Sequence, residues 1–520
     1  MYLTWLSLLP PCVVIGVMLL TRRLNFSLGL GVVLAAVLVT HGSLLDTLFL
    51  LKERFIGHLT DSNNLYLYVS LIAISSLITL LSVTGSAAAC AHIIGSKIRT
   101  KKSVEKASVL LSFLMSIDDY LSILTVGFVM RPLADKFGIA RAKLSYLINS
   151  LAGPLVVIVP ISTWAATILV QLDNAGIGMQ AESKIVVDPL YVYLKTIPFM
   201  FYSLFTIACV LVFAITKASY GYMAHEEQMA VAIDNSIVDN SNYLDKSHSL
   251  VELLIPLSVL IGGVLFGILY AGNFYVFGGN NSFFEAFREN DQTFLIFLLA
   301  SLAAFFSSVF LSLWKKYITL AHIPGIVIEG FVSMKSAITM VVLASVLGSF
   351  LRLDLHTGNY VAYLLLGKAP LYCMPALLFV TALTITLTTG SAWGTFSLLI
   401  PIAVQMLIAF TGLSAPITID QLPILLPTLA GLLSGAVCGN HISPFAETTV
   451  MTGSSVGIDF LKHARIQFSY AMPVVLGSFI AFIIAGLCAE SPFLFNAFVS
   501  GGVGFCACFM AHVVNSRIRK

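Results

Sequence analysis

The stretch VLLSFLMSIDDYLSILTVGFVMRPLADKFGIARAKL, residues 109–144, decides how this chain reads. It sets two adjacent acids, Asp118 and Asp119, inside an apolar run and follows them with the basic residues Arg131, Lys136, Arg141 and Lys143. A carboxylate at bilayer depth costs about 3 kcal/mol or more, so intramembrane acids are rare and tied to ions, protons or a partner. A second basic cluster, Lys97, Arg99, Lys101, Lys102 and Lys106, precedes the run. By the positive-inside rule both clusters face the cytoplasm, which a single crossing between them forbids. A hairpin or re-entrant element with its tip near the acid pair resolves the conflict. Non-helical backbone at that depth is allowed where protein or a polar cavity satisfies it.

The surrounding chain supports a membrane setting. Of 520 residues, 58% are hydrophobic and 10% charged, against roughly 25% charged in soluble domains. Mean hydropathy is +0.95. Apolar windows recur from end to end, starting at 4–20 and 25–40, and give about 11–14 crossings. The expected fold is all-α, a polytopic transmembrane bundle with an internal repeat and broken or re-entrant helices. The segments are continuously apolar rather than alternating, which excludes a barrel. The first segment lacks a basic lead and reads as a retained helix. The eight cysteines form no CxxC and no Cys/His metal spacing, and read as small apolar side chains.

The expected organisation is N-terminal helices over 1–64, a first repeat-like half over 65–215, a solvated cytoplasmic linker over 216–249, and a second half over 250–520. The halves echo each other in SVTGSAAACAHI (82–93) and LTTGSAWGTFSLLIP (387–401), both with a Thr-Gly-Ser break. Placing Thr125-Val126 on Thr449-Val450 puts Tyr146 on Tyr470 and Arg141 on Arg465 without a gap. Secondary transporters build midplane sites from repeats of this kind, with broken helices supplying the ligands.

The chemistry-bearing residues cluster at the breaks. Asp118 and Asp119 have Ser116, Tyr120 and Ser122 around them, the oxygen donors that hard cations prefer. Adjacent helical residues point about 100° apart, so one acid faces an ion while the other is satisfied by backbone N–H or a partner cation. A plain helix-end cap is the competing reading. In GNHISPFAETTVMTG (439–453), Pro444 forces Ser443 out of helical geometry. Asn440, His441, Ser443, Glu447 and Thr448 then converge, with His441 either titrating or structural. Ser162 and Thr163 follow Pro160, and Ser391 lies in the small-residue stretch 388–395. Sodium is the metal expected on Asp118, Asp119 and Glu447. Glu329 and Lys335 are supporting candidates, six residues apart and so not a facing pair. There is no GxxxxGK[ST] or HExxH, which argues against a nucleotide-driven pump and against an enzyme. No basic-aromatic face suggests nucleic acid.

DDYLSILTVGFVMRPLADKFGIARAKLSYLINSLAGPLVVIVPISTWAA (118–166), IEGFVSMKSAITMVVLASVLG (328–348), TTGSAWGTFSLLIPIA (388–403) and GNHISPFAETTVMTGSSVG (439–457) resemble the NhaC-type sodium/proton antiporter family. The resemblance covers about 65–490. It implies a bacterial inner-membrane secondary carrier exchanging sodium and protons, in some members with a carboxylate or other organic solute. It implies roles for Asp118, Asp119, Arg131, Pro132, Asp135, Arg141, Lys143, Ser162, Trp164, Gly390, Ser391, Trp393 and Gly394. The chain departs where it has Asn440 and Glu447, since the family usually has aspartate at both. The expected activity is sodium/proton antiport by alternating access with no cofactor. The alternatives are a sodium- or proton-coupled carrier of an amino acid or carboxylate, and a channel or non-transporting receptor. Membrane lipid and a homodimer are the further expected partners.

Overall fold

The computed structural model describes residues 5–21, 23–86, 100–181, 183–216, 219–230, 251–288, 290–365, 368–444 and 446–518. Lys97, Arg99 and most of the expected linker lie outside them. The helices, in chain order, are α1 (Leu9–Thr21), α2 (Leu24–Val39), α3 (Leu44–Thr60), α4 (Ser62–Val83), α5 (Lys101–Leu114), α6 (Asp119–Lys136), α7 (Arg141–Val156), α8 (Thr163–Asn174), α9 (Pro189–Thr196), α10 (Phe201–Thr216) and α11 (Gly221–Met229). They continue with α12 (Val251–Ala271), α13 (Phe283–Arg288), α14 (Thr293–Trp314), α15 (Ile323–Ser349), α16 (Thr357–Leu365), α17 (Met374–Thr389), α18 (Ala392–Thr411), α19 (Leu425–Ile442), α20 (Glu447–Val456), α21 (Phe460–Leu487) and α22 (Phe493–Ile518). A two-residue strand pair, Ile177–Gly178 with Ile185–Val186, is the sole sheet among the described residues.

Apolar composition makes these segments helical, and short polar residues start them. Asp61, Thr100, Asp118, Ser162, Asp188, Ser391 and Asp459 each accept a bond from a backbone N–H in the first turn of the helix they cap. Among the described residues, eight helices are long and apolar enough to cross a bilayer, and ten if two bent pairs each count as one span. Windows 4–20 and 25–40 fold as shorter apolar helices, Trp5–Met18 and Leu24–Val39. Others are hairpin arms or the two parts of a broken helix.

The hairpin at the acid pair is present. Lys101 Nζ donates to Gly138 O at 2.7 Å, which brings the start of α5 against the end of α6. The tip is the turn 115–118 between them. Arms of 14 and 18 residues reach only about 21 and 27 Å, short of a hydrocarbon core of roughly 30 Å.

Helices group in space differently from their order in sequence. One group contains α1, α2, α4, α12, α14 and α15, with α4 lying against α14 and α15. The other contains α5–α7, α10 and α17, with α19–α21. They meet along α8, α15 and α18. At the centre of the second group α19 is buried along almost its whole length. Its ridge Gly431, Gly435 and Gly439 lies so close to α17 that an added Cβ would sit 2.3, 2.2 and 2.7 Å from the carbonyl oxygens of Pro375, Phe379 and Leu383. This is small-xxx-small packing, in which backbones approach because side chains are missing.

The described part of the linker departs from the solvated reading. Tyr220 stacks on Tyr470 at 4.3 Å, and its N–H donates to the Tyr470 hydroxyl at 2.8 Å. Glu227 on α11 lies 2.9 Å from Lys143 Nζ, which also holds Glu105 at 2.9 Å. Lys143 and Glu105 are each 1% exposed, so this is a buried charge cluster rather than a free connector.

Candidate functional site

Four chain breaks meet in the second group. In each half a helix pair broken at its tip is followed by a second broken pair. The first half has α5/α6 and then α7/α8, and the second has α17/α18 and then α19/α20. Each later break hydrogen-bonds to the earlier tip. Thr163 N donates to Ile117 O at 3.1 Å, and Thr163 Oγ1 donates to Asp118 Oδ2 at 3.0 Å. In the second half Asn440 Nδ2 donates to Gly390 O at 3.1 Å, and Ser443 Oγ donates to Leu387 O at 2.8 Å. Trp164 and Trp393, one from each half, meet edge to face at 5.8 Å. This pattern matches the Asp118 tip with the Thr-Gly-Ser-Ala-Trp tip at 389–393. The register expected from sequence matched α6 with α20 instead. Those two helices are in fact neighbours, close enough that a Cβ on Gly127 would sit 2.2 Å from Ser455 Oγ.

Asp118, in extended backbone, and Asp119, the first helical residue, have different surroundings. Asp118 is the N-cap of α6, accepting from Leu121 N at 2.9 Å as well as from Thr163. Asp119 is 1% exposed, and its Oδ1 has no hydrogen-bond partner among the described residues. Ser122 Oγ, one turn on, is likewise buried and unpartnered there. The Trp164 indole N–H lies beside Asp119 without reaching hydrogen-bond geometry. Between the halves, Tyr120 Oη donates to Glu447 Oε2 at 2.6 Å. Asp118, Asp119 and Glu447 all act electrostatically on Tyr120. Thr448 Oγ1 donates to Asn440 Oδ1 at 2.9 Å, which continues the polar seam to the Gly390 tip.

Other expected residues have different surroundings. His441 turns away from Asn440 and is bonded at both ring nitrogens, Nδ1 to Tyr202 Oη at 2.6 Å and Nε2 to Ser150 Oγ at 3.1 Å. Ser150 donates onward to Gln467 Oε1 at 3.0 Å. The chain of donors makes His441 a neutral imidazole with hydrogen on Nε2. Ser162 and Ser391 cap α8 and α18 through Ala165 N and Gly394 N at 3.0 and 3.2 Å. Asp135 grips Arg141 with two bonds at 3.0 and 2.9 Å, and Arg141 also donates to Gly457 O at 3.1 Å. The Arg131 guanidinium covers Gly457 at 2.6 Å from where a Cβ would be. Both cations thus sit at the C-terminal end of α20, where the helix dipole favours them. Glu329 and Lys335 are exposed on α15. Tyr120 was legible as a neighbour of the acids, whereas Trp164 was named only through the family resemblance. The Gly431/435/439 ridge was missed, though its four-residue spacing was there to be read.

Residues 156–487 match the Na+/H+ antiporter family. The chain belongs to that family. It is therefore an ion-coupled secondary transporter with small cations as substrates, multi-pass in its membrane, in a family of carriers rather than enzymes. An uncharacterised Haemophilus influenzae protein is 26% identical over 489 residues, covering 92% of this chain and 90% of that one. The malate-2H(+)/Na(+)-lactate antiporter of Bacillus subtilis is 30% identical over 102 residues, 19% of each chain. The crystal structure of the Alcanivorax borkumensis YdaH transporter aligns with a TM-score of 0.58 at 14% identity, covering 85% of this antiporter and 89% of that chain. That likeness concerns the fold.

Proposed function

We propose that this antiporter exchanges sodium for protons by alternating access, with the two cations competing for the carboxylates Asp118, Asp119 and Glu447 around Tyr120. The supporting observation is that three acids from opposite halves of the chain converge on one phenol, in a region where Asp119 Oδ1 and Ser122 Oγ remain unpartnered. Closely spaced carboxylates resist simultaneous ionisation unless a cation or protons neutralise them. A bound sodium ion and a bound proton are therefore alternatives. Oxygen donors from Asp119, Ser122, Tyr120 and Glu447 suit a hard monovalent cation. The bacterial relatives and the basic loops support residence in a bacterial inner membrane.

The test is cation exchange in proteoliposomes under imposed sodium and pH gradients. The wild-type chain acidifies or alkalinises the lumen in response to a sodium gradient. Asp119→Asn lowers that response at least ~10-fold while the protein stays monodisperse. Unchanged exchange in Asp119→Asn removes this acid from the site.

A further inference from the structure

Far from the acid seam, α10 and α22 bring Cys209, Cys508 and His512 together. All three are buried, and one ligand atom from each lies within 4.8 Å of the others. The two sulfurs are 3.7 Å apart. Two thiolates on one tetrahedral zinc ion, each at about 2.3 Å, stand about 3.8 Å apart, so the sulfurs already have the required separation. The imidazole is held as a ligand would be. His512 Nδ1 faces Tyr220 Oη at 3.0 Å, while Nε2 is buried with no hydrogen-bond partner among the described residues. Metal-bound histidines are oriented through the other ring nitrogen in this way. Tyr220 is itself fixed by stacking on Tyr470. A 40 Å³ cavity lined by Cys209, Val212, Phe213, Phe505, Phe509 and His512 adjoins the cluster. That is room for one water as a fourth ligand.

We infer that Cys209, Cys508 and His512 form a binding site for a soft or borderline d10 cation of the zinc(II) class, joining the last helix to α10. The donor set of two sulfurs and one nitrogen selects such ions over sodium, calcium or magnesium. Binding would release the two thiol protons to solvent. The basic end of the chain places this end of α22 on the cytoplasmic side, where thiols stay reduced. Spacing along the chain does not reveal the site, because Cys209 lies almost 300 residues upstream of Cys508 and His512. The four-residue step from Cys508 to His512 does put both on one helical face.

The test titrates the reduced, purified full-length transporter with cobalt(II) chloride and then zinc(II) chloride. Thiolate-to-cobalt charge-transfer absorption should saturate at one equivalent per chain and vanish on zinc addition. Cys209→Ser, Cys508→Ser and His512→Ala should each weaken cobalt binding at least ten-fold, with Cys506→Ser unchanged. Gel filtration confirms that each variant is folded, and His512→Asn serves if the alanine variant is not. No charge-transfer band in the wild type overturns the assignment. So does a band that persists in folded Cys209→Ser or His512→Ala protein, or a Cys209–Cys508 disulfide in protein isolated without reductant.

Discussion

Asp118 accepts from Leu121 N–H and Thr163 Oγ1, whereas Asp119 keeps an unpartnered oxygen. At this scale the competing reading, a helix-end cap, describes Asp118, and the proposed ion site rests on Asp119. Asn440 is a parallel case. Its amide nitrogen donates to Gly390 O and its oxygen accepts from Thr448. An ionised aspartate could make only the second bond, and would turn an oxygen toward the Gly390 carbonyl. Asn440→Asp is therefore expected to destabilise the protein by about 1–3 kcal/mol, read as a lower midpoint in detergent thermal unfolding. The Asn440 amide ties the two second-half breaks together.

Among the elements, the tightest junction is α17 against α19. Gly435→Ala places a methyl 2.2 Å from Phe379 O, a backbone atom, so a helix must shift. The expected cost is about 1–3 kcal/mol, seen as a lower unfolding midpoint. Gly262→Ala, in open space on α12, should leave the midpoint unchanged. The hairpin was legible because charge counting alone forbids a crossing between Lys101 and Arg131. The repeat register was not. Two apolar helices share letters whatever their kinship, and hydrogen bonds between breaks such as Thr163–Asp118 and Asn440–Gly390 leave no local mark in sequence.

For the molecule as a whole, sequence patterning carried the fold class and the existence of broken helices, since both depend on local composition. The grouping of α4 with α14 and α15 depends on contacts between distant segments, and so did the partners of His441 and Lys143. The Glu105–Lys143–Glu227 cluster fastens the described start of the linker to the first half. Lys143→Met leaves Glu105 buried without its cation and should cost about 3–5 kcal/mol. Adding Glu105→Gln should recover part of that loss, which thermal unfolding of the single and double variants would measure.

The Tyr120–Glu447 bond spans 327 residues of chain. At about 5–20 residues per second, synthesis of the second partner follows the first by roughly 16–65 s. During that interval the hairpin tip has its cap but not its phenol–carboxylate partner. Its assembly during biogenesis is thus a late event. Nascent chains stalled before residue 447 should leave the tip open to water-borne reagents that the finished transporter excludes.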